Sequence, residues 1–331
     1  MPPVSGEIPI VPDHELVRQI GSGSSGDVWL ARNALGTYRA VKVVYEKTFQ
    51  HRRPYDREFN GVRNIEPVSR LHDGLVDILQ VGRNDVAGYF YYVMELSDDL
   101  DTGQLIDPDS YVPRTLAHEL SNHQRVPISE CIRLGAAVAS AIGFLHRKGL
   151  VHRDIKPANI IFVNGFPKVA DIGLTTDSSE PYVRIGTDGF IPPEGAGTPQ
   201  ADIYSLGKVL YEMCTGRDRF DYPALPSPLE NNAEDRDLIQ FSKIVWDACR
   251  ADVNRRYQSG EELMTALLDF QFSRYNPRNE KRHERALRML SMGALTGGWW
   301  GLICIMAAWG VGVAIFVAAV WRLIWLLNHD L

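Results

Sequence analysis

The residues best suited to chemistry lie in one short run, HRDIKPAN, at residues 152–159. A carboxylate at Asp154 can orient a hydroxyl group and accept its proton. Lys156 can neutralise negative charge that develops nearby, and Asn159 offers an oxygen to a hard divalent cation. The combination predicts transfer of a phosphoryl group from a metal-bound nucleoside triphosphate to a hydroxyl.

A second carboxylate, Asp171, follows a short apolar stretch in the segment VADIG. From the end of such a strand it can chelate the metal that bridges two phosphates. Asn159 and Asp171 are therefore the predicted metal ligands. Mg²⁺ is the expected ion, and Mn²⁺ could replace it.

A glycine-rich segment, GSGSSGDV, contains Gly21, Gly23 and Gly26 between two strand-like stretches. In a dinucleotide-binding fold the same spacing leads into a helix, whereas here the chain continues as the strand VWLAR. The pattern favours a hairpin that closes over phosphates. An ordinary flexible hairpin is the alternative.

Lys42 lies among apolar neighbours in AVKVV, where an unpaired ammonium would be costly to desolvate. Glu58, in the predicted helix YDREFNGVRNI, is the expected partner. Such a pair could grip the α- and β-phosphates of a nucleotide. The alternative is a solvated lysine on an edge strand.

The elements that must position these groups change type along the chain. Strand patterns dominate up to about residue 95, and apolar residues recur at helical spacing from Ile128 onward. The sequence thus predicts an α+β protein in which a strand-rich lobe precedes a helix-rich lobe.

Together these motifs resemble the eukaryotic-like (Hanks-type) protein serine/threonine kinase family, in its membrane-anchored bacterial form, over about residues 14–271. The resemblance implies a two-lobed kinase fold, with a small β-rich N-lobe and a larger helical C-lobe, and ATP as cosubstrate. Catalytic roles fall on Asp154, Lys156, Lys42 and Glu58, and metal binding on Asn159 and Asp171. Implied nucleotide contacts are Gly21, Gly23, Gly26, Val28, Ala40, Lys42, the gatekeeper Met94, and Glu95 and Leu96 of the hinge.

Three further positions match structural residues of the family: Glu194 its APE glutamate, Asp202 its αF aspartate, and Arg256 the usual partner of that glutamate. Two motifs of this chain depart from the family pattern: residues 171–173 read DIG in place of DFG, and residues 192–194 read PPE in place of APE. Both keep their polar group. Ile172 is apolar but smaller than phenylalanine, and we expect it to alter the balance between active and inactive states.

Lys156 and Thr187 are similar to the serine/threonine branch, so protein Ser or Thr is the implied acceptor. Arg153 implies activation by phosphorylation and autophosphorylation, because a guanidinium beside the catalytic residue needs an anion. Thr187 is expected to contact the catalytic loop. The candidate phosphosites are Thr175, Thr176, Ser178 and Ser179.

Two other functions use the same motifs. A membrane-tethered pseudokinase scaffold would bind without catalysis, but the complete set Lys42, Asp154, Asn159 and Asp171 argues against it. A small-molecule phosphotransferase is disfavoured by the segment from Gly186 to Glu194, which resembles a peptide-docking platform.

The composition limits which binding partners and which cellular compartment are expected. The 331 residues are 45% hydrophobic, and the net charge of −6 does not favour nucleic acid as a partner. The four cysteines show no metal-site spacing, and the N-terminus has no secretory-signal pattern. We therefore expect the globular part in the cytosol.

The C-terminal region predicts a membrane anchor. Thr296–Val320 is an uncharged, mostly apolar run that is long enough to span a bilayer, and a buried helix of the globular domain is the alternative. The basic segment 274–290 before it indicates a cytosolic kinase domain and contact with lipid headgroups. Small residues spaced along the run also permit a homodimer. A bacterial inner membrane is the preferred location.

The predicted organisation has six parts. They are a flexible leader at 1–13, the N-lobe at 14–96, the C-lobe at 97–273, a basic juxtamembrane segment at 274–292, a transmembrane helix at 293–327 and a short external tail at 328–331.

Overall fold

The computed structural model describes residues 8–23, 26–121, 124–171, 176–177, 186–227 and 233–275. The chain divides into two units, Met1–Asp269 and Phe270–Leu331. Of the second unit, only the end of one helix falls within the described residues.

The upper lobe is a five-stranded antiparallel sheet with the strand order β1-β2-β3-β5-β4. One helix, α1 (Arg52–Ser69), separates the third and fourth strands in sequence. The strands are β1 (His14–Gly23), β2 (Gly26–Asn33), β3 (Tyr38–Tyr45), β4 (Ile78–Asn84) and β5 (Tyr89–Met94).

Alternation along β3 decides which side chains face the cleft. Val41 and Val43 join a hydrophobic cluster on one face of the sheet, so Lys42 between them points to the opposite face. On that face α1 buries residues at helical spacing, among them Tyr55, Glu58 and Val62. The two periodicities together place Lys42 of the sheet and Glu58 of the helix in the same buried region between β3 and α1.

The lower lobe is mainly helical. Its elements are α2 (Leu116–Glu119), α3 (Ile128–Arg147), β6 (Leu150–Val151), β7 (Ile160–Val163), β8 (Phe166–Val169), β9 (Thr176–Asp177), α4 (Pro199–Thr215), α5 (Ala233–Ala248) and α6 (Gly260–Tyr275). β6 pairs with β9, and β7 pairs with β8. The predicted order, a strand-rich lobe followed by a helix-rich lobe, is confirmed.

Helix α4 has clear start and stop signals. The Thr198 side chain accepts a hydrogen bond from the Ala201 amide, and Pro199 opens the first turn. The helix ends at Gly216, whose φ of 66° lies in the left-handed region that favours glycine. These signals fix Asp202 in the first turn, beside the catalytic loop.

A connecting segment at residues 97–115 joins the sheet to α2, and we call it the strap. The backbone of Asp98 bonds to Phe162 in β7, and its carboxylate accepts hydrogen bonds from the amides of Asn164 and Gly165 in the turn that follows. From β1, Arg18 donates to the Pro108 carbonyl at 2.7 Å and also to the Tyr111 carbonyl. The strap thus links the upper sheet to the lower lobe.

Two of the last residues of the predicted leader contact the sheet. Ile10 exchanges two hydrogen bonds with the Tyr89 hydroxyl, at 3.0 and 2.9 Å, and Val11 is buried. Val11 packs in the hydrophobic cluster that also contains Tyr89 and Tyr91 of β5, which explains why it is buried.

The predicted transmembrane helix at 293–327 lies outside the described residues, as does the juxtamembrane segment from residue 276 onward. Within the described ranges, α3 is the helix that is long and apolar enough to cross a membrane by length and composition, and 61% of its apolar window is buried inside the protein. Burial of this kind is what the core helix of a globular domain requires.

Candidate active site

Asp154 lies at the centre of a hydrogen-bonded group in the catalytic loop. One carboxylate oxygen accepts a hydrogen bond from the Thr187 hydroxyl at 2.8 Å, and the other lies 2.7 Å from the Lys156 ammonium and 3.0 Å from the Asn159 amide nitrogen. Lys156 also donates to the Thr187 hydroxyl at 2.9 Å. The predicted contact of Thr187 with the catalytic loop is confirmed.

The loop is held from below by Asp202. Its two carboxylate oxygens accept hydrogen bonds at 2.8 Å from the backbone amides of His152 and Arg153. His146, near the end of α3, lies 2.9 Å from the same carboxylate. Arg153 has a φ of 72°, which an arginine rarely adopts, so this anchoring maintains a strained turn directly before Asp154.

Lys42 joins two carboxylates that come from different elements. Its ammonium lies 3.6 Å from Glu58 of α1 and is in hydrogen-bond contact with Asp171. Burial alone lowers the pKa of Lys42, but Asp171, Tyr92 and Glu58 more than offset it and raise that pKa above its usual value. Burial likewise opposes ionisation of Asp171, yet Lys42 keeps the pKa of Asp171 below its ordinary value. Lys42 and Asp171 are therefore both charged at neutral pH.

Asn159 and Asp171 are brought to neighbouring strand ends. The Ala170 amide donates to the Asn159 carbonyl at 2.8 Å, which ties the chain before Asp171 to the catalytic loop. The side-chain nitrogen of Asn159 donates hydrogen bonds to Asp154. The side-chain oxygen of Asn159 is thus the atom that can bind a cation. One amide oxygen and one carboxylate fit Mg²⁺, which keeps water and phosphate oxygens as its remaining ligands.

The glycine-rich hairpin forms the β1–β2 connection, as predicted. Gly23 pairs with Gly26, and Gly21 pairs with Val28. A Cβ on Gly26 would lie 2.2 Å from the Val43 carbonyl oxygen, whereas a Cβ on Gly21 would meet only ordinary contacts at 3.6 Å or more. Close backbone approach therefore requires glycine at position 26.

The predicted adenine contacts lie where β5 leaves the sheet. Met94 pairs with Ala40 across β3 and β5. Glu95 follows, and its carboxylate accepts from the Asp77 amide at 2.8 Å and pairs with Lys168 at 2.5 Å. Its side chain is thus used to join the lobes, and its backbone amide also donates to the Asp77 carbonyl at 3.2 Å.

The ion pair predicted between Arg256 and Glu194 is present. The Arg256 guanidinium donates to the Glu194 carboxylate at 2.6 and 3.4 Å, and also to the Gln200 carbonyl at 2.7 Å. The ring of Tyr204 lies 5.1 Å from the guanidinium carbon. These contacts fix the segment that leads from Thr187 into α4.

The predictions for Ile172, Thr175, Ser178 and Ser179 concern residues outside those that the structure describes. Thr176 lies in β9, and its backbone pairs with Val151 of β6.

Sequence reasoning missed two residues that position the site. His146 supports Asp202, and a histidine on the inner side of an amphipathic helix was the available signal. Tyr92 lies opposite Lys42 in the β3–β5 ladder, which the cross-strand register alone determines.

The fold and the catalytic loop define a protein kinase. The chain belongs to the protein kinase family, because the family model for the protein kinase domain matches residues 14–284. It is similar to a serine/threonine-protein kinase of Corynebacterium efficiens, drp72, at 30% identity over 78% of this chain and 51% of that protein.

Two other relatives are the DNA damage-responsive serine/threonine-protein kinase RqkA of Deinococcus radiodurans and the serine/threonine-protein kinase PrkC of Bacillus subtilis. Each is 29% identical over 76% of this chain, which corresponds to 38% of RqkA and 39% of PrkC. The chain thus spans about half the length of these curated relatives or less.

Proposed function

We propose that this chain is an ATP-dependent protein serine/threonine kinase that works with Mg²⁺. The observation that carries the proposal is the Asp154 carboxylate, held by Thr187, Lys156 and Asn159 within one hydrogen-bonded group. Membership of the protein kinase family and the names of the relatives support it further.

In this proposal each polar group has one task. Asp154 orients the acceptor hydroxyl and takes its proton. Lys156 offsets negative charge on the transferred phosphoryl group, while Lys42, steadied by Glu58, binds the α- and β-phosphates. Asn159 and Asp171 hold Mg²⁺, which when bound neutralises phosphate charge. The glycine-rich hairpin covers the phosphates, and Val28, Ala40 and the chain from Met94 to Leu96 enclose the base.

The test is phosphorylation of a generic protein substrate by the purified full chain with labelled ATP and Mg²⁺. We expect label on serine and threonine, lost when EDTA removes the metal. Asp171→Ala should reduce the rate at least about 100-fold, because it removes one of two metal ligands and a partner of Lys42. Asp101→Ala, at an exposed aspartate of the strap, should match wild type. Equal signal in wild type and Asp171→Ala, or none in wild type, would favour a pseudokinase scaffold.

We further propose that residues 293–327 anchor the chain in a membrane, with the kinase domain in the cytosol. The long uncharged run and the basic residues before it support this arrangement. The same helix would bring two copies together through its small residues, and the basic segment would contact anionic lipid.

Fractionation of cells that express the full chain tests the anchor. We expect the wild type in the membrane fraction, resistant to high salt and released by detergent. Val311→Arg with Val313→Arg should move most of the protein to the soluble fraction, because each central arginine costs about 2.5–3.5 kcal/mol of insertion. Val86→Arg, at a fully exposed turn, is the matched control and should stay with the membrane. Release of the wild type by salt alone would contradict the anchor.

A further inference from the structure

An open groove of about 430 Å³ adjoins the catalytic loop. Lys156 and Thr187, which both contact Asp154, line one side. The end of α4 and the short helix after it line the other side, with Glu212 and residues 217–219. The groove lies next to the point at which a protein segment would present a hydroxyl to Asp154, so its charged lining bears on which segments are accepted.

The two carboxylates of the far side are already bound. Glu212 accepts hydrogen bonds from the backbone amide of Arg219 at 3.1 Å and from its guanidinium at 3.4 Å. Asp218 accepts from the Phe220 amide at 2.9 Å and from the same guanidinium at 3.4 Å. Both acids are therefore already paired with Arg219.

Arg219 is itself fixed in place. Its Nε donates to the Asp188 carbonyl at 2.9 Å, and its guanidinium carbon lies 4.9 and 4.8 Å from the ring centres of Phe190 and Phe220. With two carboxylates, a carbonyl and two rings around it, this cation is neutralised by the protein.

Arg217 differs from the other cations of the groove. Its backbone amide bonds to the Thr215 hydroxyl at 3.1 Å. Within the part of the chain that the structure describes, no carboxylate lies within ion-pair distance of its guanidinium, whereas Lys156 faces Asp154 and Arg219 faces Glu212. Among the described residues that line the groove, Arg217 is thus the one cation without a carboxylate partner.

We propose that Arg217 makes this groove selective for acceptor segments that carry aspartate or glutamate close to the Ser or Thr. The inference rests on the proposed kinase function and specifies its substrate class. A carboxylate of the substrate gains a pairing partner at Arg217, while a lysine or arginine meets like charge and finds Glu212 and Asp218 occupied.

A positional peptide library with a central Ser or Thr, phosphorylated by the full chain, tests the proposal. At one or more positions we expect Asp and Glu to exceed Lys and Arg by about threefold to fivefold in kcat/KM, the size of one exposed ion pair. Arg217→Glu should reverse the preference at those positions, and Arg217→Lys should keep most of it. Arg63→Glu, at an exposed arginine of α1, is the matched control and should leave the preference unchanged.

The outcomes separate the two claims. Absence of phosphorylation of every peptide would overturn the proposed function itself. Phosphorylation without acidic preference, or a preference that Arg217→Glu leaves intact, would overturn only the role of Arg217. The wild-type preference should also weaken in about 0.5 M NaCl, since salt screens exposed charges. A preference that salt did not change would contradict an ion pair, and this test needs no variant.

Discussion

Asp154→Asn is expected to reduce kcat by about 10² to 10⁴-fold while nucleotide affinity changes little. The substitution keeps the shape of the side chain but removes the carboxylate that accepts the proton of the acceptor hydroxyl. Lys42, Glu58 and Asp171, which form the phosphate-binding cluster, do not depend on Asp154. Initial rates at saturating ATP give the loss of kcat, and equilibrium nucleotide titration gives the affinity.

The two measurements distinguish a catalytic role from a structural one. If Asp154→Asn weakened nucleotide binding as much as turnover, the residue would serve to hold the site together. A variant that kept more than about a tenth of wild-type kcat would contradict general-base catalysis. Asp101→Asn provides the same chemical change at an exposed position of the strap and should affect neither quantity.

Asp202→Ala is expected to be among the most destabilising single changes in the lower lobe. The carboxylate is 1% exposed and accepts from two backbone amides and from His146. Its removal leaves buried donors without an acceptor, at a cost of about 3–5 kcal/mol in the free energy of unfolding. The strained turn at Arg153 would also lose its anchor, so kcat should fall together with stability.

Denaturant unfolding and thermal melting measure this effect, and we expect a drop in Tm of roughly 10 °C. Glu66→Ala is the control. It removes a half-exposed carboxylate that pairs with Arg70 at 2.8 Å on one helix face, which contributes at most about 1 kcal/mol. A loss below about 1 kcal/mol for Asp202→Ala would show that the catalytic loop does not depend on this anchor.

Sequence reasoning worked best where one residue type is needed for a specific chemical task. Asp154, Asn159 and Asp171 stand at motif spacing, and the structure brings them together at the ends of neighbouring strands. The pairing of Lys42 with Glu58 was predictable for a different reason. A buried ammonium demands a counter-charge, and the helix after β3 offered one at the right position of its buried face.

The features that sequence did not predict depend on long-range geometry. The strap has no hydrophobic periodicity, and its two buried aspartates, Asp98 and Asp99, serve as acceptors for backbone amides rather than as solvated charges. The neutralisation of Glu212 by Arg219 depends on the turn after α4, and so on the glycine at its C-terminal end. In both places the local pattern of charged residues predicts exposed side chains. Only the tertiary contacts show which of these charges are paired within the protein.

The hydrogen bonds that Arg18 makes to the strap bear on how the cleft can open. The strap is bonded to the β7–β8 turn, so Arg18 connects the first strand of the sheet to the lower lobe. Hinge motion that separated the lobes at this edge would have to break those bonds, whereas the glycine-rich tip at the other end of β1 is not held by them. Nucleotide exchange would then require movement of the glycine-rich hairpin alone, while the lobes stay together at the edge that Arg18 holds.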